Sequence, residues 1–163
     1  MSARAARQVW PAASSTVPAA RRLVRTHLRE HGMGALVDNA ELIVSELVGN
    51  VVLHVGGDVE VAVEVADDEV LLSVTDRSPL SPHLRVFSRT SSTGRGMRLV
   101  HSLSAEHGVR PSGDGKTIWV RLTPTSSQRG DDEIAEVFAD IDWIAELAEV
   151  DHDGDPVRDR GAA

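Results

Sequence analysis

Val59, Val61, Val63 and Val65 alternate with Glu60, Ala62 and Glu64. Successive side chains of a strand point to opposite faces, so this run predicts a strand buried on one face only. The turn Ala66-Asp67-Asp68-Glu69 and the run Val70 to Thr75 supply its hairpin partner. Immediately upstream the period changes. Leu36, Val37, Ala40, Ile43, Val44, Leu47, Val48 and Val51 recur at intervals of three and four, predicting a helix from Leu36 to Leu53 that Gly56-Gly57 closes. A sheet with one apolar face beside a helix with one apolar stripe must bury the two against each other.

The remaining segments extend this plan. Residues 7 to 10 predict a short edge strand stopped at Pro11, and Ser14-Ser15-Thr16 with Pro18 opens a helix that runs to His31 and ends at Gly32. Residues 77 to 93 are rich in serine and proline and show little apolar patterning, as a long functional loop would. Gly94-Arg95-Gly96 opens a third helix, with Met97, Val100 and Leu103 on one face. Strands near Glu106 to Arg110 and Lys116 to Leu122 flank the turn Pro111 to Gly115. The order is βααββ, loop, αββ. It predicts an α+β fold, a two-layer α/β sandwich with a mixed, mostly antiparallel sheet and helices on one face.

Charge divides the chain. Residues 1 to 129 carry 15 basic and 13 acidic side chains, net +2, whereas residues 130 to 163 carry 2 basic and 12 acidic, net -10. We therefore expect a globular domain over residues 1–123. Residues 124–163 would form a polar linker, an acidic amphipathic helix (Ile134, Val137, Phe138, Ile141, Ile144, Leu147 and Ala148 on one face) and a disordered end. The chain has no cysteine, which excludes disulfides, thiolate metal sites and cysteine nucleophiles. No apolar run approaches the roughly 20 residues of a membrane helix, and the expected location is cytoplasmic, with no membrane partner. A nearly neutral body without a basic recognition helix argues against direct nucleic-acid binding.

Three groups of residues could carry chemistry. Glu46, Asn50 and His54 are spaced by four, so one helix would present them in successive turns. A carboxamide oxygen can ligate Mg²⁺ and a nearby carboxylate can take a proton, although a solvated helix edge has the same pattern. Asp76 stands where a hydrophobic strand ends, in Ser73-Val74-Thr75-Asp76-Arg77-Ser78-Pro79. It could accept a hydrogen bond from an exocyclic amine or simply begin a turn. Gly94-Arg95-Gly96 at a helix start could bring backbone N–H groups to a polyanion, or act as a hinge. Gly115-Lys116-Thr117 enters a strand and not a helix, so a P-loop is excluded.

Taken in order, the segments Glu41 to His54, Leu71 to Pro79, Thr93 to Val100 and Gly115 to Trp119 resemble the N, G1 and G2 boxes and the closing strand of GHKL (Bergerat-fold) ATPases. The closing Gly-Lys-Thr-Ile-Trp is similar to that of the actinobacterial anti-sigma-factor serine/threonine kinases, and the resemblance covers residues 8 to 122. It implies ATP and Mg²⁺ as cofactors and Glu46 as general base toward a serine hydroxyl. It also implies Asn50 as metal ligand and Asp76 as reader of the adenine amino group. Ser78 and Thr117 would lie nearby, with Gly94, Arg95, Gly96 and Met97 at the phosphates and His54 at a polar family position. Residues 80 to 93 would be the ATP lid. The implied partners are a sigma factor, an anti-anti-sigma (STAS-domain) protein and a second copy of the chain. One departure stands out: the family's Asp-x-Gly-x-Gly is here Asp76-Arg77-Ser78-Pro79-Leu80. A non-catalytic ATP-binding interaction module is therefore the alternative.

Overall fold

A computed structural model describes residues 4–77 and 93–126, the side chains of 93–97 excepted. The elements are β1 (Arg4–Pro11), α1 (Thr16–Glu30), a 3₁₀ turn (Gly34–Leu36), α2 (Val37–Asn50), a π turn (Val51–Val55), β2 (Asp58–Ala66), β3 (Glu69–Asp76), α3 (Thr93–Leu103), β4 (Glu106–Ser112) and β5 (Gly115–Leu122). The five strands form one sheet in the order β1-β2-β3-β5-β4. Each neighbouring pair is antiparallel, so the mixed component expected from sequence is absent among the described strands.

The alternation in β2 settles the layers. Val59, Val61, Val63 and Val65 are at most 5% exposed. They join Val70, Leu72 and Val74 of β3 and Ile118, Val120 and Leu122 of β5 in one core. Helices α1 and α2 close it with Ala20, Val24, Leu28, Ala40, Ile43, Val44, Leu47 and Val48, and α3 adds Val100. Each valine, leucine or isoleucine among them contributes about 1.5–3 kcal/mol of transfer free energy when fully buried, so this apolar layer is the main cohesive force. Glu41 of α2, 8% exposed, ion-pairs with Arg25 Nε at 2.5 Å and Arg21 at 3.7 Å, fixing α1 against α2.

Boundaries differ from the sequence reading for local reasons. β1 spans Arg4 to Pro11 because it pairs residue for residue with β2, from Arg4↔Val65 to Pro11↔Asp58. The start of α1 is held by the Thr16 hydroxyl, which donates to the Pro11 carbonyl at 2.6 Å. At the end of α2 the backbone widens: the Gly56 N–H donates to Val51 O at 2.8 Å, the five-residue spacing of a π turn. Gly56 and Gly57 both have φ +74°, a left-handed pair that swings the chain from helix into β2. The β4–β5 turn is shorter than expected, since Ser112 already pairs with Gly115. Among the described residues no helix is long and apolar enough to cross a membrane. The proposed lid and the acidic tail beyond Ser126 lie outside the described residues.

Candidate functional site

Strand β2 begins only eight residues after Asn50, and its second residue, Val59, pairs with Asp76. The end of α2 and the end of β3 therefore lie at one end of the sandwich. The start of β5 joins them, because Thr75 pairs with Thr117. Helix α3 feeds β4 at the opposite end of the sheet, where Glu106 pairs with Arg121, so its C-terminus is the part remote from Asp76.

Asp76 shares the pleat phase of Val70, Leu72 and Val74, so it faces the helices and is only 5% exposed. A buried carboxylate requires partners, and β5 provides them. Lys116 Nζ donates to Asp76 Oδ2 at 2.5 Å, and the Lys116 backbone N–H donates to Oδ1 at 3.2 Å. Lys116 is itself 7% exposed. An ionised carboxylate has about four acceptor positions, so two such bonds leave room for an exocyclic amine. Thr117, expected near this carboxylate, is on the other face, where its hydroxyl bonds that of Thr75 at 2.7 Å. The side chain that reaches Asp76 is Lys116, which the sequence reading did not select.

Gly115 is packed beneath the same carboxylate. A Cβ there would overlap the Asp76 carbonyl oxygen and stand 2.6 Å from Asp76 Oδ1. Because the obstructing atom is backbone, Gly115→Ala is expected to cost about 1–3 kcal/mol or more by overpacking. Chemical denaturation should show the loss, and nucleotide affinity should fall with it because the displaced group is Asp76.

Arg77, at the variable position after the aspartate of the resembled box, is tied down. Its guanidinium donates to Glu60 Oε2 at 2.6 Å, its backbone N–H donates to Asp58 O at 3.0 Å, and Arg7 pairs with Glu60 from β1 at 3.5 Å. The exit from β3 is therefore fixed on the face away from the helices, and the guanidinium does not compete with Lys116 for Asp76.

On α2, Glu46 is half-buried and Asn50, one turn later, is 7% exposed. The Asn50 amide nitrogen is buried with no hydrogen-bond partner among the described residues. An orphaned amide N–H costs free energy; a ligand offering a phosphate oxygen to it would remove that cost. The N–H thus fits a nucleotide's phosphate, and the carboxamide oxygen is a donor of the kind Mg²⁺ accepts. His54 lies in the π turn and is exposed, since the wider turn breaks the four-residue stripe after Asn50. Gly94, Arg95, Gly96 and Met97 occupy the first turn of α3, and the N-terminus of a helix suits an anion. Ser78 lies outside the described residues.

A second concavity, of about 320 Å³, lies where α3 meets β4, lined by His101, Ser104, Ala105, Glu106, His107 and Trp119. The Trp119 indole crosses β4 at Gly108, where a Cβ would meet it at 2.8 Å. His107 bonds Ser104 Oγ through Nδ1 at 2.9 Å. Burial first, and then the charge of His101, lowers its pKa from 6.5 to about 4. The unfolded chain therefore takes up this proton near 6.5 while the folded chain refuses it until about 4. Stability should fall as pH drops through that interval, and His107→Gln should flatten that part of a plot of melting temperature against pH.

In this two-layer α+β sandwich, a buried carboxylate at a strand end and an unpartnered amide N–H at the adjoining helix end suit a nucleotide. The family comparison agrees: residues 10–122 match the model of the histidine kinase-like ATPase domain, and the chain belongs to that family. The fold is that of the GHKL-type ATPases, and ATP is the ligand its membership implies. A search of curated proteins finds no match for the chain.

Proposed function

We propose that the protein is an ATP-dependent serine/threonine protein kinase that also sequesters a sigma factor, its phosphoacceptor a serine of an anti-anti-sigma (STAS-domain) protein. The observation that carries the nucleotide part is the presence, at one end of the fold, of both the buried Asp76 carboxylate and the unpartnered Asn50 amide nitrogen. The partner classes follow from the resemblance of the Glu41–His54 and Gly115–Trp119 segments to the anti-sigma-factor kinases.

In this reading Asp76 accepts a hydrogen bond from the adenine amino group, and Lys116 holds the carboxylate in place. The Asn50 oxygen would hold Mg²⁺, which when bound neutralises phosphate charge and aligns the transferred group. Glu46, one turn before Asn50, orients the acceptor hydroxyl and takes its proton. The first turn of α3 offers backbone N–H groups to the phosphates. Phosphorylation would release the STAS protein; its unphosphorylated form would occupy the kinase and free the sigma factor. A homodimer is the expected assembly and the cytoplasm the expected compartment.

The altered box after Asp76 favours a second reading, in which ATP is bound but not consumed and the protein acts as an interaction module. Radiolabelled ATP, incubated with the protein and STAS-domain candidates of its host, separates the two. Label on a candidate's serine supports the kinase, whereas retained nucleotide with no transfer to any candidate leaves the binding module.

A further inference from the structure

We infer that the last turn of α1 is a zinc-binding site formed by His27, Glu30 and His31. His27 and Glu30 lie in the last turn of α1 and His31 is its C-cap, so the three are spaced i, i+3 and i+4 along one side of the helix end. One candidate donor atom from each lies within 4.8 Å of the other two. The imidazole centroids of His27 and His31 are 4.2 Å apart. Zinc takes imidazole nitrogen and carboxylate oxygen at about 2.0–2.2 Å, so tetrahedral ligands stand roughly 3.4 Å apart. The exposed Glu30 carboxylate can rotate toward the two rings.

The hydrogen bonds around the two rings already suit a metal. His27 Nε2 lies 3.0 Å from Arg4 O, and His31 Nδ1 lies 2.7 Å from His27 O. A carbonyl oxygen only accepts, so each of these nitrogens carries the proton and donates it. The lone pairs are then at His27 Nδ1 and His31 Nε2. Metal-ligating histidines are oriented in this way, with the second ring nitrogen donating to a carbonyl that fixes the tautomer and raises ligand basicity. The cluster also sits at the C-terminus of a fifteen-residue helix, where the backbone dipole favours a cation. Water completes the coordination. None of the nucleotide-site residues is on α1, so this site is separate from that reading. Because His27 also holds the backbone of β1 at Arg4, a bound ion would brace the edge strand against the helix.

The test uses the full chain, stripped with a chelator and titrated with zinc chloride by calorimetry, with thermal melts alongside. Wild type should take up one equivalent and melt at a higher temperature, as for any ligand that binds only the folded state. His31→Ala should weaken zinc binding by about tenfold or more and lose the melting shift, with Mg-ATP heats unchanged. Glu30→Gln, at an exposed position, should weaken it in the same direction and guards against misfolding of the first variant. Cobalt substitution should give a visible absorption band that His31→Ala removes. Absence of zinc uptake by wild type at micromolar metal would overturn the assignment. So would an unchanged affinity in both variants, which would place the ion elsewhere.

Discussion

Replacing Lys116 by methionine is expected to destabilise the fold by about 3–5 kcal/mol, the cost of stripping a buried charge of its partner. The side chains of the pair are 9% and 6% exposed and their charged atoms are 2.5 Å apart. Methionine has similar length and no charge, so the change removes the ammonium while keeping most of the packing. Asp76 would then be left with the Lys116 backbone N–H at 3.2 Å as its remaining bond from this residue. The double variant Asp76→Asn/Lys116→Met should recover much of the loss, because neither member then carries an uncompensated charge. Urea denaturation at constant m-value measures each step, and the cycle isolates the coupling. A cost near that of an exposed pair, about 0–1 kcal/mol, would show that Lys116 does not hold the carboxylate.

Glu46→Ala is expected to slow phosphoryl transfer by about 10²–10⁴-fold, the usual worth of a positioned general base. Glu46 is one helical turn from Asn50 but belongs to the acceptor side of the proposed site, so Mg-ATP affinity should hardly change. Single-turnover transfer from labelled ATP to the phosphorylatable partner measures the first quantity, and calorimetry of the variant the second. Undiminished transfer would remove Glu46 from the mechanism. A joint loss of transfer and nucleotide binding would assign it a structural part instead.

Much of this architecture is legible in the residues. The alternation of Val59 to Val65 specifies which face of β2 meets the helices, although Glu60 and Ala62 on its other face are buried too, and the Leu36–Val51 stripe specifies the helix that covers it. Asp76 could be recognised as a carboxylate at a strand end because the hydrophobic run stops there. Its partner could not be recognised. Whether Lys116 or Thr117 faces Asp76 depends on the register of β5 against β3, and a slip of one residue exchanges the faces of a strand. No local pattern states that register; the pairing Thr75↔Thr117 does. The π turn was hidden for a related reason. Val51-Val52-Leu53 continues the apolar character of α2, and the widening follows from the left-handed Gly56-Gly57 corner that the chain must reach. The orphaned Asn50 amide is likewise a property of packing, since composition cannot say which polar group is left without a partner.

The proposed function requires one adenine-nucleotide site at the Asp76 end of the sandwich. Isothermal calorimetry of Mg-ATP with wild type, Asn50→Ala and the Asp76→Asn/Lys116→Met double variant addresses it directly. Stoichiometric binding by the wild type, weakened in both folded variants, is the expected result. No heat with millimolar Mg-ATP, or equal affinity in all three proteins, would contradict it.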